Sequence, residues 1–284
     1  FLKEKRYQCL LKEYSESSLT NSFIFKRLDL RHKNDLFNFL KSEKPTIICH
    51  LAAQAGVRYS LENPQSYVDN NINATLNLLE YSKKFNVKNF IFASTSSVYG
   101  LSKETPYVET STIDSVISPY ATTKRACELM CHTYNKLYGI KFRILRFFTV
   151  YGPWGRPDMA LFLFTKAMLN GEPIKVFNNG KMERDFTYIN DIVSGFVSAI
   201  KCEYDFEIFN LGNSETVQLI DFINILENKL GIVAEKIMMP MQPGDVPSTW
   251  SNIKKAQEML SYNPSVNIRE GISNFVDWYK SSYK

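Results

Sequence analysis

The chain has 284 residues, of which 44% are apolar and 22% charged, and this composition suffices for one large folded domain or two smaller ones. It excludes a disordered, collagen-like or repeat protein. The net charge is +5, but residues 1–44 alone hold ten Lys/Arg against six Asp/Glu, so the basic excess lies in one segment and argues against a nucleic-acid-binding face. Glycine is sparse: there are 12, and the first is Gly56.

The five cysteines are scattered and show no paired metal-ligand spacing. The sequence contains no run of 18 apolar residues and no signal-peptide pattern at residues 1–10. We therefore expect a cytoplasmic protein with reduced cysteines, without a metal site and without a membrane partner.

The first half alternates short apolar runs with longer helical patterns. Strands are predicted at residues 23–28, 46–51, 89–93 and 142–148, and helices at 30–43, 63–86 and 119–138. Asn63 followed by Pro64 suits an N-cap and a first helical residue. This succession predicts an α/β fold with a Rossmann-like, doubly wound parallel sheet.

The pattern changes after about residue 151, where glycines and prolines interrupt the chain. Helices are predicted at 159–169, 191–201, 217–230, 253–260 and 269–279, with short strands within 171–180 and another strand at 206–211. We expect a first domain over residues 1–155, with a contribution from about 185–211, and a smaller C-terminal α/β lobe over residues 156–284.

Polar or small segments follow three predicted strands, at residues 50–56, 94–100 and 149–152. In open α/β sheets, ligands bind outside the carboxyl ends of the strands. Residues 94–97 are four consecutive hydroxyl residues, a costly choice for a core because each buried hydroxyl needs a partner. Ordinary turn chemistry is the alternative explanation.

Tyr120 and Lys124 are four residues apart at the start of a predicted helix, so their side chains share one face. An ammonium near a phenol favours the phenolate and lowers the tyrosine pKa toward the range of a general base. The alternative is an exposed pair in which Lys124 contacts Glu128, one turn further on.

Six segments together carry a family resemblance: HLAAQAGVRYS, STSSVYG, YATTK, RFFTVYGPWGRPDMALF, RDFTYINDIV and QPGDVP, at residues 50–60, 94–100, 120–124, 146–162, 184–193 and 242–247. The chain resembles the extended short-chain dehydrogenase/reductase family of NAD-dependent epimerases and dehydratases, and within it the UDP-glucuronate 4-epimerases. The likeness runs almost from end to end.

The resemblance implies a catalytic group. Tyr120 would be the base, Lys124 would lower its pKa and bind the nicotinamide ribose, and Thr95 would hydrogen-bond the reacting hydroxyl. It implies C4 epimerisation of a UDP-sugar through a 4-keto intermediate, with NAD retained rather than consumed.

The resemblance also implies binding residues. On the NAD side these are Asp29 and Leu30 beside the adenine, Leu51, Ala52 and Ala53 at a close backbone approach, and Asn70 as the side chain that holds the adjacent loop. On the UDP-sugar side, Arg184 would bind the pyrophosphate, Asp245 the uridine ribose, and Arg156 the sugar or phosphates. Surface salt bridges are the alternative for the two arginines, and we expect His50 to be a packed strand residue.

Residues 95–97 separate the subclasses of this family. Dehydratases place an acidic pair where this chain has Ser96 and Ser97, and UDP-glucuronate decarboxylases place a glutamate at the position of Ser97. Thr95, Ser96, Ser97 and Thr149 would instead hold a sugar carboxylate with neutral hydroxyls. UDP-glucuronate is the favoured substrate; a UDP-glucose epimerase, a decarboxylase and a non-catalytic relative are the alternatives.

The glycine-rich phosphate-binding fingerprint of the family is absent from the sequence. Residues 1–10 align best with the segment after the second strand in relatives, so we expect the chain to lack an N-terminal strand–helix–strand unit and to bind NAD weakly or not at all. Relatives also suggest a homodimer.

Overall fold

The structure, a computed structural model, describes residues 2–16, 23–102 and 104–283. Its strands, in chain order, are β1 (Ile47–His50), β2 (Asn89–Thr95), β3 (Lys141–Phe147), β4 (Thr149–Tyr151), β5 (Ile174–Phe177), β6 (Glu183–Arg184), β7 (Phe186–Tyr188), β8 (Phe206–Leu211), β9 (Val217–Gln218), β10 (Lys236–Met239) and β11 (Ser248–Thr249). Its α-helices are α1 (Leu2–Glu16), α2 (Lys33–Glu43), α3 (Val57–Glu62), α4 (Pro64–Tyr67), α5 (Ala74–Phe85), α6 (Pro119–Tyr138), α7 (Ala160–Leu169), α8 (Ile189–Lys201), α9 (Leu219–Leu230), α10 (Lys254–Leu260) and α11 (Ile268–Trp278).

The main sheet has the order β1-β2-β3-β8, and all of its neighbouring strands are parallel. Alternate side chains of β2 point to opposite faces: Phe90 and Phe92 pack toward α5 and α6, whereas Ile91 packs toward α8 and α10. Helices therefore cover both faces of a parallel sheet, and the predicted Rossmann-like, doubly wound α/β fold is confirmed.

A second apolar core lies in the C-terminal half of the chain. It joins α7, α9 and α11 with the short strands β4, β5 and β7, and Phe162, Phe222 and Phe275 are among its buried members. Helix α10 packs on the main sheet instead, so the sheet receives more of the C-terminal half than residues 185–211. The division into residues 1–155 and 156–284 stays a prediction.

The predicted strand at residues 23–28 is wrong. Edge strand β1 pairs with β2, and among the described strands none pairs with this segment. Its side chains Ile24 and Phe25 are 64% and 55% exposed, although the Phe25 ring contacts that of Tyr7 on α1 at 4.3 Å. An apolar run becomes a strand only where a neighbouring strand accepts its ladder of hydrogen bonds.

The other predicted elements form with small shifts at their ends. Asn63 caps α4 as predicted, since its side-chain oxygen accepts a hydrogen bond from the Ser66 amide at 3.2 Å and Pro64 is the first helical residue. Residues Val68–Asn73 continue from α4 as a π-helical stretch before α5 begins. Among the described helices, none has the length and apolar character needed to cross a membrane.

Candidate active site

Thr95 ends β2 and begins a short 3₁₀ turn over Ser96–Tyr99. Its side-chain oxygen accepts a hydrogen bond from the Ser97 amide and donates one to the Ser97 hydroxyl, both at 3.2 Å. Turn chemistry therefore accounts for part of the hydroxyl run, as the alternative explanation held. Thr95 itself is buried, whereas Ser96 and Ser97 are partly open at the carboxyl end of the sheet.

Helix α6 presents Tyr120 to this strand end. Ser118 caps the helix by accepting a hydrogen bond from the Ala121 amide at 3.2 Å, and Pro119 provides its first residue. The Tyr120 phenol lies close enough to the Thr95 side chain for that side chain to favour its ionised form. Thr95 and Tyr120 are thus brought together, whereas their roles toward a reacting hydroxyl stay a prediction.

Lys124 lies one turn further along α6 and is only 4% exposed. Its Nζ donates to the Ala93 carbonyl at 2.8 Å and lies 4.9 Å from the centre of the Phe92 ring. Burial lowers the pKa of Lys124 to about 8. The alternative that pairs Lys124 with Glu128 is wrong, because the Glu128 carboxylate binds Arg146 at 2.9 Å and the Ser94 hydroxyl at 2.6 Å.

The expected lowering of the tyrosine pKa by Lys124 does not occur in this arrangement. Burial raises the pKa of Tyr120, and the opposing influences come from the nearby Thr95 side chain and the positive charge of Arg156. The reason is geometric: the Lys124 ammonium points to Ala93 in β2 rather than to the phenol.

Asn71, and not Asn70, holds the loop that follows β1. Its side-chain oxygen accepts from the Gln54 amide at 2.8 Å, and its Nδ2 donates to the Gln54 carbonyl at 3.1 Å and to the Thr123 hydroxyl at 3.0 Å. The Asn70 Nδ2 instead donates to the Ser66 carbonyl within its own helical stretch, at 2.7 Å. The role expected of Asn70 is therefore corrected to its neighbour.

The other residues expected near a dinucleotide are in two places. Leu51, Ala52 and Ala53 are exposed at the carboxyl end of edge strand β1. Asp29 forms a forked ion pair with Arg31, with contacts of 3.0 and 2.7 Å, and the hydrogen bonds from Arg31 lower the pKa of Asp29 to about 2. Leu30 packs against the main core, and its carbonyl accepts from Asn77 at 2.8 Å.

A second cluster surrounds Arg184 at the end of β6. Its guanidinium donates to the carbonyls of Glu183 at 2.8 Å and Pro247 at 3.1 Å, and Asp245 is close enough to act on its charge. Burial lowers the pKa of Arg184, and Asp245 opposes that effect. Its bonds to backbone carbonyls contradict a simple surface salt bridge.

Arg58 on α3 belongs to this cluster and was missed in the sequence. It contacts the Asp245 carboxylate at 3.6 Å and lies over the Phe177 ring at 4.7 Å from the centroid. Arg58 was visible within the segment HLAAQAGVRYS, but only the packing of the 242–247 loop against α3 brings it to Asp245.

Arg156 and Thr149 are the remaining residues expected at the site. Arg156 forms an exposed ion pair with Asp158, as its alternative interpretation held, and its positive charge also reaches Tyr67 and Tyr120. Thr149 begins β4 and is half-buried, and its amide donates to the Asp185 carbonyl at 3.0 Å.

His50 is a packed strand residue, as predicted. Its Nε2 lies 2.9 Å from the Thr75 hydroxyl inside the core, and burial lowers the pKa of His50 to about 3. The described residues contain no group of three or more His, Cys, Asp or Glu side chains arranged to hold a metal ion.

Comparison with known proteins places this geometry in a family. The model of the NAD dependent epimerase/dehydratase family matches residues 2–212. Protein CapI of Staphylococcus aureus is 44% identical over 100% of this chain and 88% of its own length, and a probable UDP-glucuronate 4-epimerase of Rhizobium meliloti is 40% identical over 98% and 88%.

A solved structure supports the same family assignment. The UDP-glucuronic acid 4-epimerase of Bacillus cereus, in complex with UDP-glucuronic acid and NAD, superposes with a TM-score of 0.89 at 38% identity, covering 98% of this chain and 86% of that one. The chain therefore belongs to the NAD dependent epimerase/dehydratase family.

Proposed function

We propose that this protein interconverts UDP-glucuronate and UDP-galacturonate by epimerisation at C4. Family membership supplies the coarser statement, an NAD-dependent enzyme of the epimerase/dehydratase type. The choice of UDP-glucuronate is supported by relatives that carry that name in Rhizobium meliloti and Bacillus cereus. The single observation that carries the proposal is the juxtaposition of Thr95 and Tyr120 at a strand end that is followed by the hydroxyls of Ser96 and Ser97.

Tyr120 is the general base of the proposed reaction. It lies at the carboxyl end of the sheet with its phenol beside the Thr95 side chain, so a sugar hydroxyl entering between them could hydrogen-bond both. Because burial raises the Tyr120 pKa, the base needs positive charge close by when substrate binds. Arg156 already provides part of that charge, and movement of the Lys124 ammonium away from Ala93 would provide more.

The residues present fit one side of a bound NAD. Leu51, Ala52 and Ala53 leave an open backbone approach at the end of β1, and Asn71 holds the adjoining Gln54 peptide through two hydrogen bonds. Lys124 would hold the nicotinamide ribose, and Asp29 and Leu30 would lie toward the adenine. When bound, NAD supplies reversible hydride acceptance at the sugar C4.

Neutral hydroxyls favour the acid sugar without favouring its decarboxylation. Ser96 and Ser97 are partly open beside Thr95, and Thr149 lies at the start of β4 on a neighbouring segment. These groups donate hydrogen bonds to a carboxylate but cannot act as the acid or base that dehydration at C5–C6 requires. Ser97, at the position where decarboxylases have a glutamate, also argues against a decarboxylase.

The nucleotide half of the proposed site is the cluster around Arg184. Arg184 and Arg58 supply positive charge for a pyrophosphate, and Asp245 supplies an acceptor for ribose hydroxyls. A homodimer and a cytoplasmic location are part of the same proposal and rest on the family resemblance.

The test is incubation of the purified protein with UDP-glucuronate and a large excess of NAD, since weak NAD binding is expected, followed by chromatographic separation of the nucleotide sugars. We expect UDP-galacturonate, and a loss of about 10²–10⁴-fold in rate for Tyr120→Phe, the range that general base catalysis supplies. Tyr138→Phe, at the exposed end of the same helix, is the matched control and should keep full activity. UDP-xylose as the product, or turnover of UDP-glucose in place of UDP-glucuronate, would overturn the substrate assignment.

A further inference from the structure

The Asp185 carboxylate is fully buried at 0% exposure and accepts hydrogen bonds from two separate segments besides its own. Oδ1 accepts from the Asn213 amide at 2.6 Å and the Thr187 hydroxyl at 3.1 Å. Oδ2 accepts from the amides of Ser214 at 3.1 Å and Ser251 at 3.0 Å, and from the Ser251 hydroxyl. Five donors thus converge on one carboxylate.

The backbone of Asp185 extends the same junction. Its amide donates to the Thr249 carbonyl at 2.9 Å, and its carbonyl accepts from the Thr149 amide at 3.0 Å. Gly212 completes the fit, because a Cβ there would lie 2.2 Å from the Ser251 hydroxyl and 2.9 Å from Asp185 Oδ2. Strand β4, strand β11 and the turn at 212–214 are all fixed to this one residue.

This junction adjoins the nucleotide half of the proposed site. Arg184 is the preceding residue, and its guanidinium binds the Pro247 carbonyl, four residues before Ser251. Asp245, whose charge acts on Arg184, lies on the same 245–251 segment. Asp185 therefore holds this segment at Thr249 and Ser251, and Arg184 holds it at Pro247.

We propose that Asp185 is a positioning residue for nucleoside diphosphate binding, because it holds the 245–251 segment against β6 so that Arg184 and Asp245 face one site. The inference rests on the proposed function for its ligand class. It assigns no contact between Asp185 and the ligand. The chain contains a second buried aspartate, Asp191, which accepts from the amides of Ser265 and Val266, both at 3.1 Å, and serves as a comparison.

The chemistry requires a carboxylate at this position. Three of the five donors are backbone amides, and bonds from amides to an ionised acceptor are shorter and stronger than neutral ones. An asparagine would turn one acceptor oxygen into an NH₂ group facing those donors. Asp185→Asn should therefore release the turn or the 245–251 segment while it preserves the side-chain volume.

The experiment is calorimetric titration of UDP into the purified protein and its variants. We expect Asp185→Asn to weaken UDP binding by about tenfold or more, and Ser251→Ala, which removes one donor, to weaken it about threefold. Asp191→Asn is the control: it removes another buried carboxylate that accepts from backbone amides and should lower the Tm, but UDP affinity should stay within about twofold. If a general loss of structure were the cause, UDP affinity would fall by the same factor in both aspartate variants.

The outcomes separate this inference from the proposed function. If the unmodified protein binds UDP and Asp185→Asn binds it equally well, the inference is wrong and the proposed function stands. If Asp185→Asn does not fold, Ser251→Ala decides, and unchanged UDP affinity in that variant overturns the inference. If UDP binding follows the expected order but no UDP-glucuronate is turned over, the proposed function fails alone. If the unmodified protein does not bind UDP, both fail.

Discussion

Arg146 on β3 holds the carboxylate of Glu128 on α6 through two hydrogen bonds of 3.0 and 2.9 Å, and both side chains are 1% exposed. Burial alone would raise the pKa of Glu128, but the hydrogen bonds from Arg146 and Ser94 and the Arg146 charge outweigh it and keep that pKa below its usual value. Ser94 precedes Thr95, and Lys124 is one turn before Glu128. The ion pair therefore joins β3 to α6, and the Ser94–Glu128 hydrogen bond joins α6 to β2, so the two elements that present the catalytic candidates are fixed to each other.

Removing one member of this pair should be strongly destabilising. Glu128→Ala leaves the Arg146 guanidinium buried without its counter-charge, and we expect a loss of about 3–5 kcal/mol in the free energy of unfolding. Urea denaturation monitored by circular dichroism measures it. The double variant Glu128→Leu with Arg146→Met removes both charges and should lose clearly less; an equal or larger loss in the double variant would contradict a charge-desolvation origin.

The buried ammonium of Lys124 should destabilise the folded protein at neutral pH, although Lys124 is a candidate site residue. Its folded-state pKa of about 8 lies below the ordinary lysine value of 10.5. The folded protein therefore has its full stability with respect to this group above pH 10.5 and loses stability as pH falls through 8. We expect Lys124→Met to be more stable at pH 7, by up to about 3 kcal/mol, and to lack epimerase activity. The lost contacts with Ala93 and Phe92 offset part of that gain.

The measurement is the difference in unfolding free energy between Lys124→Met and the unmodified protein at several pH values. The difference should shrink between pH 7.5 and pH 10.5, because at high pH the Lys124 amine is neutral in the folded and in the unfolded protein. Lys136→Met, on the last turn of α6 and exposed, is the control and should show no such slope. A difference that does not vary with pH would refute the assignment of the slope to Lys124.

Local signals in the sequence predicted where an element begins and ends wherever a capping residue and a periodic apolar pattern agreed. Helix α6 begins at Pro119 after the Ser118 cap and ends where Gly139 adopts a left-handed φ of 62°, and those residues define the predicted range 119–138. The parallel sheet followed from the alternation of strands and helices. Thr95 and Tyr120 could be paired before the structure because the resemblance carried both of them.

Tertiary relationships could not be predicted in the same way. Residues 23–28 have strand composition, but no described strand lies beside them. Glu128 and Arg146 are on different elements, and no local pattern joins them. Asn70 and Asn71 are adjacent in a π-helical stretch, where α-helical spacing no longer predicts which side chain faces the neighbouring loop.

His50 should make the protein sensitive to acid. Its folded-state pKa of about 3 lies below the ordinary 6.5, so the stability it confers is present above pH 6.5 and is lost as pH falls toward 3. By pH 4 the loss from this residue is about 3 kcal/mol. His50→Gln can still contact Thr75 and does not titrate, so its stability relative to the unmodified protein should rise from pH 7 to pH 4. A parallel pH dependence of the two proteins would contradict this.

Asn71 and Asn70 offer a matched test of which side chain supports the loop beside the proposed cofactor site. Asn71→Ala removes three hydrogen bonds and leaves the Gln54 peptide without its side-chain partner, so we expect a loss of about 2–3 kcal/mol in stability. Asn70→Ala removes contacts within its own helical stretch and should cost under about 1 kcal/mol.

The two variants should differ in activity as well. Asn71 also bonds Thr123, whose hydroxyl donates to the Tyr120 carbonyl at 2.9 Å, so loss of the Asn71 side chain loosens both the loop and the first turn of α6. We expect Asn71→Ala to raise the NAD concentration needed for half-maximal UDP-glucuronate turnover by about tenfold, whereas Asn70→Ala leaves it unchanged. A larger effect of Asn70→Ala than of Asn71→Ala would contradict the assignment of the loop to Asn71.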